Sequence, residues 1–224
     1  MIDAGYNYDR LAEKMGWLGI APQSVQHILI THQDTDHVGA VEADSPGLFQ
    51  NAALYIGEVE NRYLTGEVRR KVIYHLYKLP QVTINNKKVL LQDGEVINID
   101  GIKIECFLVP GHTWGHMVYL VDDRYLFTGD TIWFGADGGY SFISALAEDN
   151  ELNAEIAETL LSDEGANLTV AEAVSFLFNR TPVKCKKLYL WKTTSYPCTD
   201  DKILLLSCNC LFTSFGKPYR NKTF

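Results

Sequence analysis

The chain has 224 residues, 46% of them hydrophobic, and a formal net charge of −8. That is one domain of ordinary size, or one with an appendage, with enough apolar material for a core. The acid excess argues against nucleic acid as a partner, no apolar run approaches the ~18 residues of a membrane-spanning helix, and no basic-then-apolar leader opens the chain, so a cytoplasmic protein is expected.

"HILIT" (27–31) reads as a short buried strand. It runs straight into "THQDTDH" (31–37), which therefore occupies the loop at a strand's end. "HVGAVEAD" suggests one or two helical turns, with Asp34 or Asp36 placed to cap them. "AALYIG" (52–57) is a second strand. Residues 58–79 have helical periodicity up to Pro80, which predicts a helix over that whole span. From 82 to 132 the pattern turns to β. "KKVLL", "EVINI" and "IKIECFLV" are strand-like, with Asp93-Gly94 and Asp100-Gly101 as hairpin turns. "HMVYLV" and "RYLFTGD" pair around Asp122-Asp123. Residues 145–161 predict an amphipathic helix ended near Gly165. On pattern alone this is an α/β or α+β domain with at least one sheet.

Residues 1–175 carry 11 Lys+Arg against 26 Asp+Glu, whereas residues 176–224 carry 9 against 2. Such a shift marks a boundary, and the expected division is 1–165 and 166–224. Four of the five cysteines, Cys185, Cys198, Cys208 and Cys210, lie in the basic tail. Cys198, Cys208 and Cys210 form a weak zinc candidate; scattered reduced cysteines are the favoured reading.

Three polar clusters each follow an apolar strand: His32, Asp34, Asp36 and His37; His112 in "VPGHTWGH"; and Asp130 in "LFTGDT". Taken singly, each residue is a solvated group or a cap. Taken together they point to a site at a sheet edge, because caps do not require histidine at 32, 37 and 112. Trp114, Trp133, Phe134 and Tyr140 lie near motif ends, as pocket wall or as core. His75 reads as a surface or packing residue, and His27 as one without a catalytic role.

In this order, "THQDTDH", "PGHTWGH" and "FTGDT" resemble the motifs of the metallo-β-lactamase fold hydrolases: H-x-H-x-D-H, a PGHT-type histidine, a GD-type aspartate, then a last histidine. The 74 residues between His37 and His112, and the 17 between His112 and Asp130, suit that family. The opening "MIDAG" resembles the segment that lies under its site. The resemblance covers about residues 1–165 and implies a four-layer αββα sandwich. Position by position, it implies a first metal pocket of His32, position 34 and His112. Asp36 and His37 would contribute to a second, and Asp130 would bridge the two, as in thioesterase-like members. Asp36 is also the expected catalytic group. Asp3, Thr113, His116 and Thr131 would hydrogen-bond the ligands from outside. The cofactor implied is one or two divalent ions, zinc favoured. The implied activity is attack by a metal-held water or hydroxide on an ester, thioester, lactone, amide or phosphodiester of a small molecule. Oligomeric state is left open.

The chain departs from the family pattern in three places. Asp34 replaces a histidine, which adds a negative charge and a harder donor and opens the site to manganese or iron. Two divalent ions against three carboxylates then leave one net positive charge instead of two, so weaker acidification of water is expected. A redox di-iron site is a further reading of Asp34. No histidine follows His116, so the family's last ligand has no counterpart. That gap supports the alternative function, a metal-binding remnant without hydrolase activity. Met1 stands almost on the "MIDAG" segment, so the family's leading strands, like its usual C-terminal part, are expected to be missing.

Overall fold

The computed structural model describes residues 1–134, 140–161, 188–189 and 203–206. Helix α1 (Tyr8–Trp17) opens on Asn7, whose Oδ1 accepts from Arg10 N at 3.1 Å. Tyr8, Leu11 and Met15 share one face of it and join the core. Strand β1 (His27–Ile30) leads through the short helix α2 (Thr35–Val38) to β2 (Ala53–Gly57), helix α3 (Glu58–Leu64), a hairpin of β3 (Lys71–Val72) and β4 (Tyr77–Lys78), and β5 (Lys88–Leu91). β1, β2 and β5 form a parallel sheet in that order. Four strands then run as an antiparallel meander: β6 (Val96–Ile99), β7 (Ile102–Leu108), β8 (Met117–Val121) and β9 (Tyr125–Phe127). A two-residue pair, β10 (Trp133–Phe134) and β11 (Tyr140–Ser141), precedes helix α4 (Asn150–Leu161). Strands β12 (Leu188–Tyr189) and β13 (Ile203–Leu206) extend the second sheet beyond β9.

The period of two along each strand explains the layering. Ile28, Ile30, Leu54 and Ile56 point to one side of the first sheet and pack with Met15 and Leu64 from the helices. Leu29 and Leu91 point to the other side and meet Ile104, Cys106, Met117 and Tyr119 of the second sheet. The opposite face of the second sheet presents Phe107, Val118, Leu120 and Leu126, all buried. Among the described residues no helix is long and apolar enough to cross a membrane.

Three local expectations are corrected. The helix predicted over 58–79 ends at Leu64. Gly66 (φ +77°) takes the left-handed turn that closes it. The β-branched and aromatic run from Lys71 to Lys78 then folds as β3–β4. Its turn passes through three left-handed residues, Ile73, Tyr74 and His75, and His75 Nε2 lies 2.6 Å from Glu148 O. Asp93-Gly94 is not a hairpin turn but the step from the first sheet to the second, with Asp93 Oδ1 accepting from Leu108 N at 3.1 Å. Asp100-Gly101 and Asp122-Asp123 do turn hairpins. The last helix starts at Asn150, not 145, because the Asp149 carboxylate caps Leu152 N at 2.9 Å. Gly165 and the four tail cysteines, Cys185, Cys198, Cys208 and Cys210, lie outside the described residues.

Candidate metal centre

The centre sits where loops from the two sheets meet. On the first sheet, Asp3 is pinned beside β1 by Asp3 N donating to Leu29 O at 2.8 Å. Its carboxylate accepts from Thr31 N and Thr31 Oγ1, both at 2.8 Å, and lies 2.8 Å from His37 Nδ1. A carboxylate there holds the ring proton on Nδ1, so His37 Nε2 turns toward Asp130 Oδ1 at 3.2 Å. Asp3→Asn keeps a residue type that tolerates the left-handed backbone (φ 51°) and removes the charge. Metal affinity is expected to fall about 10–100-fold, as for other outer hydrogen-bond partners, read by competition against a chelating dye.

The second sheet supplies the rest. Met117 N donates to Thr31 O at 2.8 Å and Tyr119 OH to Ile30 O at 2.6 Å, which fixes the two sheets against each other beneath the site. After β7 the chain passes Gly111 to His112. Glu148 N and Asp149 N, just before α4, both donate to Gly111 O at 2.9 Å. Asp130 follows Gly129, whose left-handed backbone (φ +52°) and missing side chain leave room for His116; a Cβ there would lie 2.5 Å from His116 Nε2. That nitrogen accepts from Asp130 N at 3.2 Å, and His116 Nδ1 lies 3.4 Å from Thr131 Oγ1. Burial, then the neighbouring His32 and His112, holds His116 well below the usual histidine range, so it is a neutral support.

Five of the six residues expected as ligands converge. Donor atoms of His32, Asp34 and His112 lie within 4.8 Å of one another, and so do those of His32, His37 and Asp130. The sixth, Asp36, is 52% exposed, with Oδ2 3.7 Å from His37 Nε2, and lies outside both buried groups. Of the outer partners, Asp3, His116 and Thr131 bond as just described, whereas Thr113 turns away to Glu60. Trp114 is 43% exposed and Trp133 half-buried; the side chains of Phe134 and Tyr140 lie outside the described residues.

The donor chemistry fits a cation. His32 Nε2 and Asp130 Oδ1 are buried with no hydrogen-bond partner among the described residues, a costly state for polar atoms unless a positive centre satisfies them. Burial lowers the His32 pKa, with help from His37 and His112, so the ring offers a lone pair.

Two residues that the sequence did not single out shape the centre. Arg70, from the segment expected to be helical, is buried and clamps Asp34: Nε donates to Oδ1 and Nη2 to Oδ2, both at 2.8 Å. Burial would raise the Asp34 pKa, yet this fork, with His112 and His32, holds it well below the usual carboxylate range. Asp34 therefore brings no uncompensated charge in place of histidine, and the expected loss of net positive charge is cancelled by the guanidinium. With its carboxylate so engaged, Asp34 makes no cap bond to α2 although it precedes that helix. Glu60 is fully buried and ties two motif loops together: Oε1 accepts from Gln33 N at 2.8 Å and Oε2 from Thr113 Oγ1 at 2.7 Å. Burial pushes its pKa up to about 8 against those two bonds. Gly115 permits this contact, since a Cβ there would lie 2.2 Å from Glu60 N.

A cleft of about 510 Å³ opens beside Asp34, with Gln33, Thr35, Glu42, Asp44 and Gln81 among its walls.

The chain is similar to several known proteins. The chain is 31% identical over 140 residues to a hydroxyacylglutathione hydrolase of Buchnera aphidicola, covering 62% of this chain and 44% of that protein. It is 27% identical over 132 residues to a protein of Bacillus velezensis named a probable polyketide biosynthesis zinc-dependent hydrolase, covering 59% and 48%. The chain thus spans about half the length of these curated relatives. Among solved structures, the Rm3 metallo-beta-lactamase superposes with a TM-score of 0.51 at 21% identity, covering 71% of this chain and 63% of that one. MEM-A1, a subclass B3 metallo-beta-lactamase from a soil metagenome library, gives 0.50 at 20%, covering 72% and 65%. These two likenesses show the fold, the four-layer α/β sandwich. The family model of the metallo-beta-lactamase superfamily matches residues 1–168, and the chain belongs to that superfamily.

Proposed function

We propose that the chain is a metal-dependent hydrolase that acts on a thioester or a related acyl compound of small size. The observation that carries this reading is the convergence of His32, Asp34, His37, His112 and Asp130 from three strand ends, with His32 Nε2 and Asp130 Oδ1 left for a cation. These five residues, with the exposed Asp36, would hold one or two divalent ions; three imidazoles among them favour zinc. When bound, such an ion supplies Lewis acidity, which acidifies water and polarises an acyl oxygen.

The chain's own groups do the rest. Asp3 fixes the His37 ring, and His116 fixes the backbone that carries Asp130. Asp36 is the exposed carboxylate next to the centre and is the group placed to accept a proton from entering water. Glu42 and Asp44 on the cleft wall disfavour strongly anionic substrates. The relatives' names support a thioester, whereas this wall favours neutral or cationic acyl groups over anionic ones.

The test is a panel of thioesters, lactones and phosphodiesters of graded charge, given to zinc-replete and chelator-treated protein. Hydrolysis that needs the ion and prefers thioesters is the expected result. Absence of a bound divalent ion under replete conditions overturns the proposal. One ion bound tightly without turnover on any ester favours the metal-binding remnant instead.

A further inference from the structure

Two pairs of acceptor atoms face each other in the centre, and their surroundings differ. His112 Nε2 and Asp34 Oδ2 lie 3.2 Å apart, and Arg70 Nη2 stands 3.3 Å from the first and 2.8 Å from the second. His37 Nε2 and Asp130 Oδ1 also lie 3.2 Å apart, and His32, His37 and Asp130 each bring a donor atom within 4.8 Å of the others. At this second place His32 Nε2 and Asp130 Oδ1 have no hydrogen-bond partner among the described residues. One group of acceptors already has its positive charge; the other still requires one.

We infer that Arg70 takes the cation's place in the pocket of His32, Asp34 and His112, so that the chain holds a single divalent ion, among His32, His37 and Asp130. The inference rests on the metal-binding reading above and deepens it.

The guanidinium is not free to retreat. Besides its two bonds to Asp34, Nη2 donates to Leu146 O at 2.6 Å and Nη1 to Lys71 O at 3.1 Å, and Glu148 Oε1 lies 3.9 Å from Nη1. Withdrawal would strand a buried carboxylate and two carbonyls. Arginine cannot lose its proton in a protein, so the charge is permanent. A divalent ion bonded to Asp34 Oδ2 and His112 Nε2 would have to share both atoms with Nη2, against a fixed like charge. Aspartate at 34 is the complement of this arrangement: its two parallel oxygens match the planar fork, and an imidazole would offer no such pair.

The test uses the full chain, saturated with zinc, freed of excess and analysed for metal per folded protein, with cobalt titration followed by visible absorption as a second count. The wild type is expected to hold one ion. Arg70→Met, of similar length without the charge, releases Asp34 and His112 for a second ion and is expected to hold two. Should Arg70→Met fail to fold, location decides: His112→Gln keeps the ion, and Asp130→Asn weakens it at least tenfold. Two tight ions in the wild type, one ion in folded Arg70→Met, or an ion lost in His112→Gln and kept in Asp130→Asn would each overturn the inference while leaving the hydrolase reading intact. No ion in any form overturns both.

Discussion

Replacing His32 by glutamine will lower metal affinity by about a thousandfold, or ~4 kcal/mol at 1.4 kcal/mol per decade, and will abolish the proposed metal-dependent hydrolysis. His32 is the one residue common to both groups of candidate ligands, and its Nε2 is among the two orphaned atoms of the centre. Its other ring nitrogen lies 3.1 Å from Thr31 Oγ1, a hydroxyl that also bonds Asp3, so the ring is aimed from behind. Glutamine fills most of the volume at this fully buried position and limits the packing loss. Circular dichroism and thermal melting of the chelator-treated protein separate a ligand effect from misfolding. Unchanged metal content in a folded His32→Gln variant would place the ion elsewhere in the molecule.

Glu60→Gln is expected to change how stability depends on pH. The Glu60 carboxyl has its pKa pushed up to about 8, against an ordinary value of 4.5. Between those two values the folded chain keeps a proton that the unfolded chain has released. The folded state then binds more protons than the unfolded state, so stability falls as pH rises through this window. The contribution is full below pH 4.5 and gone above about 8. Glutamine holds the same contacts without titrating: its carbonyl accepts from Gln33 N and its amide donates to Thr113 Oγ1. Urea unfolding of metal-free protein at pH 5.5 and pH 8.5 should show Glu60→Gln ahead by only about 1 kcal/mol at the lower pH, which lies one pKa unit into the window. At the higher pH Glu60→Gln should lead by about 2–4 kcal/mol, at 1.4 kcal/mol per pKa unit and discounting for relaxation. Parallel stability curves would mean that Glu60 is ionised throughout.

The motifs that carry the candidate donors were legible because each follows an apolar strand, and a strand's end is easy to read. The hairpins at Asp100-Gly101 and Asp122-Asp123 were legible for a similar reason: two turn residues between alternating runs leave little choice. Arg70 was not legible. It stands beside Arg69 in a charged stretch, and nothing local distinguishes the buried arginine from the exposed one; only the long-range meeting with Asp34 does. The signal that was present and underweighted is Gly66, which breaks the supposed long helix and frees the next segment to cross the site. Glu60 was hidden in the same way, since a glutamate in a helix's first turn reads as a solvated residue near the dipole. Helix α1 has its apolar residues at spacings of three and four but lies in a polar stretch, so its pattern was weak.

The candidate donors come from both sheets: His32 and His37 follow β1, while His112 and Asp130 follow strands of the antiparallel sheet. An ion seated among them would act as a rivet across the interface between two halves of the core. Unfolding would then have to expel it. The melting temperature of this chain would be a curve rather than a constant, climbing with the logarithm of free zinc, with ~2.7 kcal/mol of extra stability at a hundred times the dissociation constant.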